Sequence, residues 1–123
     1  MHEQEYEAFT AFQEGTLLLE RESPHAAAIA LERARALEPG KASIREALAR
    51  AYYSSGRVRA AEAEFAAALE IDPVNDYAHF GLGLCRLRAG DRPGARGHLR
   101  LAVAMRPVPE YRNALERAAE DRP

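Results

Sequence analysis

The sequence predicts an all-α solenoid: three helix pairs in series followed by a C-terminal capping helix, in one domain of 123 residues. Two spacings carry this reading. Pro39, Pro73 and Pro107 recur every 34 residues, each after an Ala-rich segment ending in Ala36-Leu37-Glu38, Leu69-Glu70-Ile71-Asp72 or Ala104-Met105-Arg106, and Gly56 and Gly90 are separated by the same interval. A period of this length is one supersecondary unit that cannot bury its apolar side alone and stacks on its neighbours to make a continuous core.

The elements follow in order. Apolar periodicity runs from Gln4 to Leu19, and Ser23-Pro24 then supplies a cap and a first-turn proline for a second helix over Pro24 to Leu37. Pro39-Gly40 breaks the chain, because proline has no amide hydrogen and restricts the residue before it. The second pair is expected over Ala42 to Ser54 and Val58 to Ile71. The third spans Asp76 to Leu87 and Arg92 to Met105, with Asp91 placed to cap its second helix. Pro109 then opens a final solvating helix over Glu110 to Glu120. The repeats are therefore drawn at about 8–41, 42–75 and 76–109, with the capping helix at about 110–120. Short breaks make the helices of each pair antiparallel.

Within the pairs, small residues recur where two backbones must approach: Gly15, Ala49 and Gly83 in the first helices, and Ala27, Ala61 and Ala95, then Ala34, Ala68 and Ala102, in the second. Leu31, Phe65 and Leu99 form a larger repeating anchor between them.

Composition narrows the function classes. Hydrophobic residues make up 47% and charged residues 29%, and no apolar run approaches the roughly 20 residues of a membrane span. The acidic start, Met1-His2-Glu3-Gln4-Glu5, lacks the positive end and greasy segment of an export signal, so a cytoplasmic protein is expected. A net charge of -2 supplies no overall attraction for nucleic acid. The charge is unevenly spread: residues 1–41 hold eight acids and four bases, whereas residues 76–107 hold six arginines against Asp76 and Asp91. Weak RNA contact through Arg86, Arg88, Arg92, Arg96 and Arg100 is an alternative use of that basic quarter, which lacks the exposed aromatics of a dedicated binder.

No catalytic, cofactor or metal site emerges. Cys85, the one cysteine, sits beside Gly83 in a first helix and reads as a buried packing thiol. His79 falls on the side that meets its own pair partner, His98 on an exposed face, and the four histidines lack zinc-helix spacing. Gly81-Leu82-Gly83 lies inside a helix, and Gly90, Gly94 and Gly97 have no nearby lysine for a phosphate cradle.

On Gly15, Ala49 and Gly83, Leu48 and Leu82, the three alanine series, the Leu31/Phe65/Leu99 anchors and the spaced prolines, the chain resembles the tetratricopeptide repeat family over about residues 8–107. It departs where the family often has a large aromatic early in the first helix: Ala11, Arg45 and His79 stand there. The later tyrosine is kept as Tyr52 but becomes Leu18 and Arg86. The resemblance implies a right-handed superhelix, no catalytic activity of its own, and a concave side lined by first helices that holds a partner segment. Carried onto this sequence, that side comprises Phe9, Phe12, Thr16, Leu19 and Glu20; Ser43, Glu46, Arg50, Tyr53 and Ser54; and Tyr77, Phe80, Leu84, Leu87 and Arg88. The expected partner-binding set within it is Phe9, Phe12, Thr16, Glu46, Arg50, Tyr53, Tyr77, Phe80, Leu84 and Arg88. Aromatics there would anchor a protein or peptide and arginines would set its register. The places where one subgroup clamps the terminal carboxylate of a chaperone tail hold Phe12, Thr16, Glu46, Ala47, Phe80 and Gly81, which argues against that specialisation. The expected role is an interaction adaptor or small chaperone. The structural alternative is a homo-oligomer assembled through Phe9 or the terminal helix.

Overall fold

The computed structural model describes residues 2–120. Seven helices run in order: α1 (Glu3–Glu20), α2 (Pro24–Leu37), α3 (Ala42–Ser54), α4 (Val58–Ile71), α5 (Asp76–Arg88), α6 (Arg92–Met105) and α7 (Pro109–Ala119). The expected boundaries hold to within one residue. Pro24, Pro93 and Pro109 sit in first turns, where a missing amide hydrogen costs nothing. No helix among the described residues is long and apolar enough to cross a membrane.

Caps follow side-chain chemistry less evenly than the sequence implies. Asp91 accepts a hydrogen bond from the Gly94 amide at 2.9 Å, as expected. Asn75, which the pattern did not single out, does the same for Ala78 at 3.0 Å. Ser23 makes no such bond, so α2 relies on Pro24 alone at its start. The turns inside the pairs share a left-handed residue: Gly56 at φ 82° and Gly90 at φ 81°, but Glu22 at φ 58° in the first. That pair carries a strain the other two avoid, since a Cβ disfavours this conformation.

Each helix packs on its sequence neighbour, and the backbones of α1 and α3, α3 and α5, and α5 and α7 also approach closely, whereas those of α2, α4 and α6 stay apart and α2 reaches α4 only through the long Arg35 side chain. Odd-numbered helices closer than even-numbered ones make a curved stack with α1, α3, α5 and α7 on its inner wall. This follows from side-chain size. A Cβ built on Gly15 would lie 2.4 Å from Leu31 Cγ, one on Gly83 2.5 Å from Leu99 Cγ, and one on Gly81 2.3 Å from the Phe65 ring. The anchors thus occupy space that the small residues vacate, as the repeating pattern predicts. Ala27, Ala61, Ala95, Ala34, Ala68 and Ala102 are all fully buried. Ala61→Leu therefore overpacks a closed contact and should lower the unfolding free energy by about 1–2 kcal/mol; an unchanged denaturant midpoint would show that the site has room.

One position in each pair sets its polarity. Where the family resemblance anticipates an aromatic, Ala11 is buried in the first pair. In the second, Arg45 bonds Glu64 across the pair at 3.1 Å, and Arg35 reaches the same carboxylate at 2.6 Å. In the third, His79 meets His98, which is half-buried and not exposed as its helical position implied. The alanine, ion-pair and imidazole solutions fill one geometric slot.

Candidate functional site

Three hollows stand out among the described residues, two of which adjoin through Tyr53 and Leu84. At the N-terminal end a 500 Å³ hollow is lined by Phe9, Phe12, Ala8 and Ile44, with Glu5, Glu38, Lys41 and Ser43 at its edge. Phe9 remains 51% exposed there, since among the described residues α1 packs only on α2 and α3, while Phe12 is half-buried against the core around Ala11, Ala34 and Ile44.

The middle hollow, 180 Å³, lies between α3 and α5 and is lined by Arg50, Tyr53, Ser54, Phe65, Tyr77, Gly81 and Leu84. It is the absence of a side chain at Gly81 that lets Phe65 reach through from α4 to form its floor. Tyr77 meets Phe65 at 6.2 Å and Phe80 edge-on at 5.6 Å, so an aromatic row lies behind the wall with Tyr77 as its partly exposed member. Burial pushes the Tyr77 phenol up, and the nearby Arg50 opposes that shift.

The C-terminal hollow, 460 Å³, is bounded by Tyr53, Leu84, Leu87, Arg88, Arg92, Arg117 and Glu120. Its charge is largely basic, whereas the N-terminal hollow carries two acids against one lysine. The uneven charge along the sequence thus becomes a gradient along the wall.

Two arginines are held in a way that matters for recognition. Arg50 lies over the Tyr77 ring at 5.7 Å and Arg88 over the Tyr53 ring at 5.0 Å. Both side chains are exposed, and neither is in an ion pair with a carboxylate among the described residues. An aromatic seat attracts a guanidinium through the ring's negative face while leaving its in-plane N–H donors free for a carboxylate. Beside Arg50, burial holds the Glu46 carboxyl above the ordinary range, against the pull of Arg50 and of a hydrogen bond from Asn75.

The ten expected partner contacts therefore separate. Arg50, Tyr53, Tyr77 and Leu84 come together in the middle hollow, Arg88 joins Tyr53 and Leu84 in the C-terminal one, and Phe9 and Phe12 share the N-terminal one. Thr16 is half-buried and its hydroxyl donates to the Gln13 carbonyl at 3.0 Å, and neither Thr16 nor Glu46 lines any of these three hollows. Phe80 needs correction. It is 4% exposed and stacks on Tyr111 of α7 at 4.7 Å, so it serves the joint between the third pair and the last helix and offers no surface to a partner. Tyr111 is locked in turn by donating to Asp76 at 2.6 Å, with burial first and that bond second raising its phenol.

Arg92 and Arg117 were not among the expected contacts, although the period contains a signal for the second. Arg117 stands 34 residues after Gly83, at the place where first helices need a small residue to receive their pair partner. Among the described residues α7 has no such partner, so a long, exposed side chain is tolerated there. Of the five arginines proposed for RNA contact, three have protein acceptors: Arg86 bonds Glu62 at 3.1 Å, Arg96 donates to the Ala118 carbonyl at 3.0 Å, and Arg92 donates to the Glu120 carbonyl. Cys85 is fully buried, and burial pushes its thiol up to about 11, so it is not a nucleophile at neutral pH.

A family model described as Tetratricopeptide repeat matches residues 12–76 and again 46–111. By sequence, the chain matches none of the curated proteins. Among solved structures, an Arabidopsis OM64 TPR domain superposes with a TM-score of 0.91 at 19% identity, over 94% of this chain and 97% of that one. The second TPR domain of human RPAP3, in complex with an HSP70 peptide, superposes with a TM-score of 0.89 at 17% identity, over 96% and 99% of the two chains. YrrB, described as a TPR protein with an unusual peptide-binding site, gives 0.81 at 25% identity over 89% of this chain and 56% of that one.

Proposed function

The chain belongs to the tetratricopeptide repeat family, and from that premise we propose that it is a protein-interaction adaptor whose inner wall holds an extended partner segment carrying acidic side chains next to apolar ones. The observation that carries the reading is the pair of exposed guanidiniums, Arg50 and Arg88, each held beside a tyrosine ring and in no ion pair with a carboxylate among the described residues, with Leu84 between them; Arg50 also hydrogen-bonds the Tyr77 phenol. Solved relatives of the same fold hold peptides, among them the human domain in complex with an HSP70 peptide. The supporting chemistry is complementary: apolar anchors contribute area, the arginines fix register, and a rigid helical stack keeps the wall preorganised. A client-holding role as a small chaperone uses the same wall. Self-association would instead use the exposed Tyr6 and Phe9, and would appear as a mass that falls on dilution.

The test is fluorescence anisotropy with a panel of labelled peptides in which leucine or phenylalanine alternates with either aspartate or lysine. The aspartate series should bind and the lysine series should not. Arg88→Glu or Tyr53→Ala should weaken binding about tenfold, or about 1.4 kcal/mol, while Arg100→Glu on the exposed outer surface should leave it unchanged. Equal affinity for the two series, or indifference to Arg88→Glu, would remove the proposed mode.

A further inference from the structure

The third pair is joined by a contact that the inner wall does not use. His79 on α5 and His98 on α6 approach with their Nδ1 atoms 3.4 Å apart and their ring centroids 5.7 Å apart. The difference, about 2.3 Å, is what two imidazole ring radii add up to, so both Nδ1 atoms lie on the line joining the rings. Although the ring planes differ by only 30°, the imidazoles meet end to end and are not stacked face to face. On that axis one nitrogen can donate and the other must accept. One repeat earlier the equivalent positions hold Arg45 and Glu64, an ion pair whose charges do not depend on a shared hydrogen.

We propose that His79 and His98 form a one-proton latch between α5 and α6, a contact that closes with a single hydrogen on its axis and opens when a second is forced onto it. In the neutral pair, one ring donates its Nδ1–H to the Nδ1 lone pair of the other. A first added proton goes to the outward Nε2 of the donor ring, and the resulting imidazolium donates more strongly through the same axis. A second has only the accepting Nδ1 left, where two N–H groups would point at each other across 3.4 Å. The pair then separates.

The charges acting on His98 are Arg86 on α5, Glu62 on α4 and Asp91 at the head of α6, while His79 is governed by burial. Arg86 is itself tied to Glu62 at 3.1 Å and Asp91 at 3.6 Å, so the surroundings do not replace the missing acceptor. Burial lowers both imidazoles below 6.5, and for His98 the neighbouring His79 adds to it. The folded chain consequently binds fewer protons than the unfolded one. The latch contributes stability above pH 6.5, and that stability is gone once pH has fallen through the lower of the two folded values, where the second proton enters. Because His79 lies between Tyr77 and Phe80 on α5, opening it loosens both the aromatic row and the seat of α7.

The inference is independent of what the wall binds. Its test is an NMR titration of the imidazole nitrogens in the full chain from about pH 8 to 4, with urea unfolding at each pH. His79 and His98 should titrate in two coupled steps more than about one pH unit apart, the second coinciding with a drop in the urea midpoint. His98→Gln should leave His79 with a single step. The double variant His79→Arg with His98→Glu, which installs the ion pair of the preceding repeat, should flatten the midpoint between about pH 7 and 5 relative to the unmodified chain. If that variant does not fold, the His98→Gln comparison decides alone. Independent titration of the two rings at one shared value, or no change in His79 on replacing His98, overturns the latch.

Discussion

Leu99→Ala should lower the unfolding free energy by about 3 kcal/mol, and Gly83→Ala, harmful on its own, should become stabilising when introduced beside it. Leu99 is fully buried, and its Cγ and Cδ2 lie 2.5 and 2.6 Å from where a Gly83 Cβ would be. In the unmodified chain the added methyl must displace a side chain with nowhere to go, a cost of about 1–3 kcal/mol. With Leu99 cut back, the methyl enters the new cavity and α5 also exchanges a mid-helix glycine for the best helix former, worth about 1 kcal/mol. A change of sign between backgrounds, read from urea midpoints at constant m-value, is the expected result. Strict additivity of the two substitutions would mean that the backbone separation, and not the vacated volume, sets the contact.

Glu64→Leu should cost about 2–3 kcal/mol, while exchanging Glu64, Arg35 and Arg45 together for apolar residues of similar volume should cost far less. The carboxylate side chain is 9% exposed and accepts from Arg35 at 2.6 Å and Arg45 at 3.1 Å. Removing it leaves two guanidiniums facing each other with no carboxylate between them, Arg45 keeping only its bond to the Pro39 carbonyl at 3.1 Å. Their side chains remain 32% and 21% exposed, which keeps the cost below that of a fully enclosed pair, because water takes over part of the lost interaction. Thermal unfolding of the single and triple variants in parallel reads the difference. A single variant as stable as the triple one would show that the triad is solvated and contributes nothing.

The architecture was legible because its instructions repeat. Three prolines, three small-residue positions and three anchors at one interval leave little freedom in helix order, and the interdigitation of Gly15 with Leu31 and of Gly83 with Leu99 is the physical content of that interval. The wall was legible only in outline. Phe80 occupies a wall position by phase, but a wall position is open only where no further helix lies on it, and α7 lies on this one through Tyr111. Tyr111 follows Tyr77 by 34 residues, so the period does extend into α7. The arginine seats were out of reach for a different reason. Arg50 on Tyr77 and Arg88 on Tyr53 pair residues of successive repeats across the α3–α5 seam, and no spacing within one helix reports such a contact. The same holds for the two imidazoles, whose alignment depends on ring orientation and not on helical phase.

Cys85 turns the buried seam into a clock. It is the chain's single thiol, and with its acidity suppressed to about 11 and no surface exposed, an alkylating reagent at neutral pH can reach it only while α5 is lifted from its neighbours. The rate of adduct formation at saturating reagent therefore counts those openings one by one, without a label engineered into the protein.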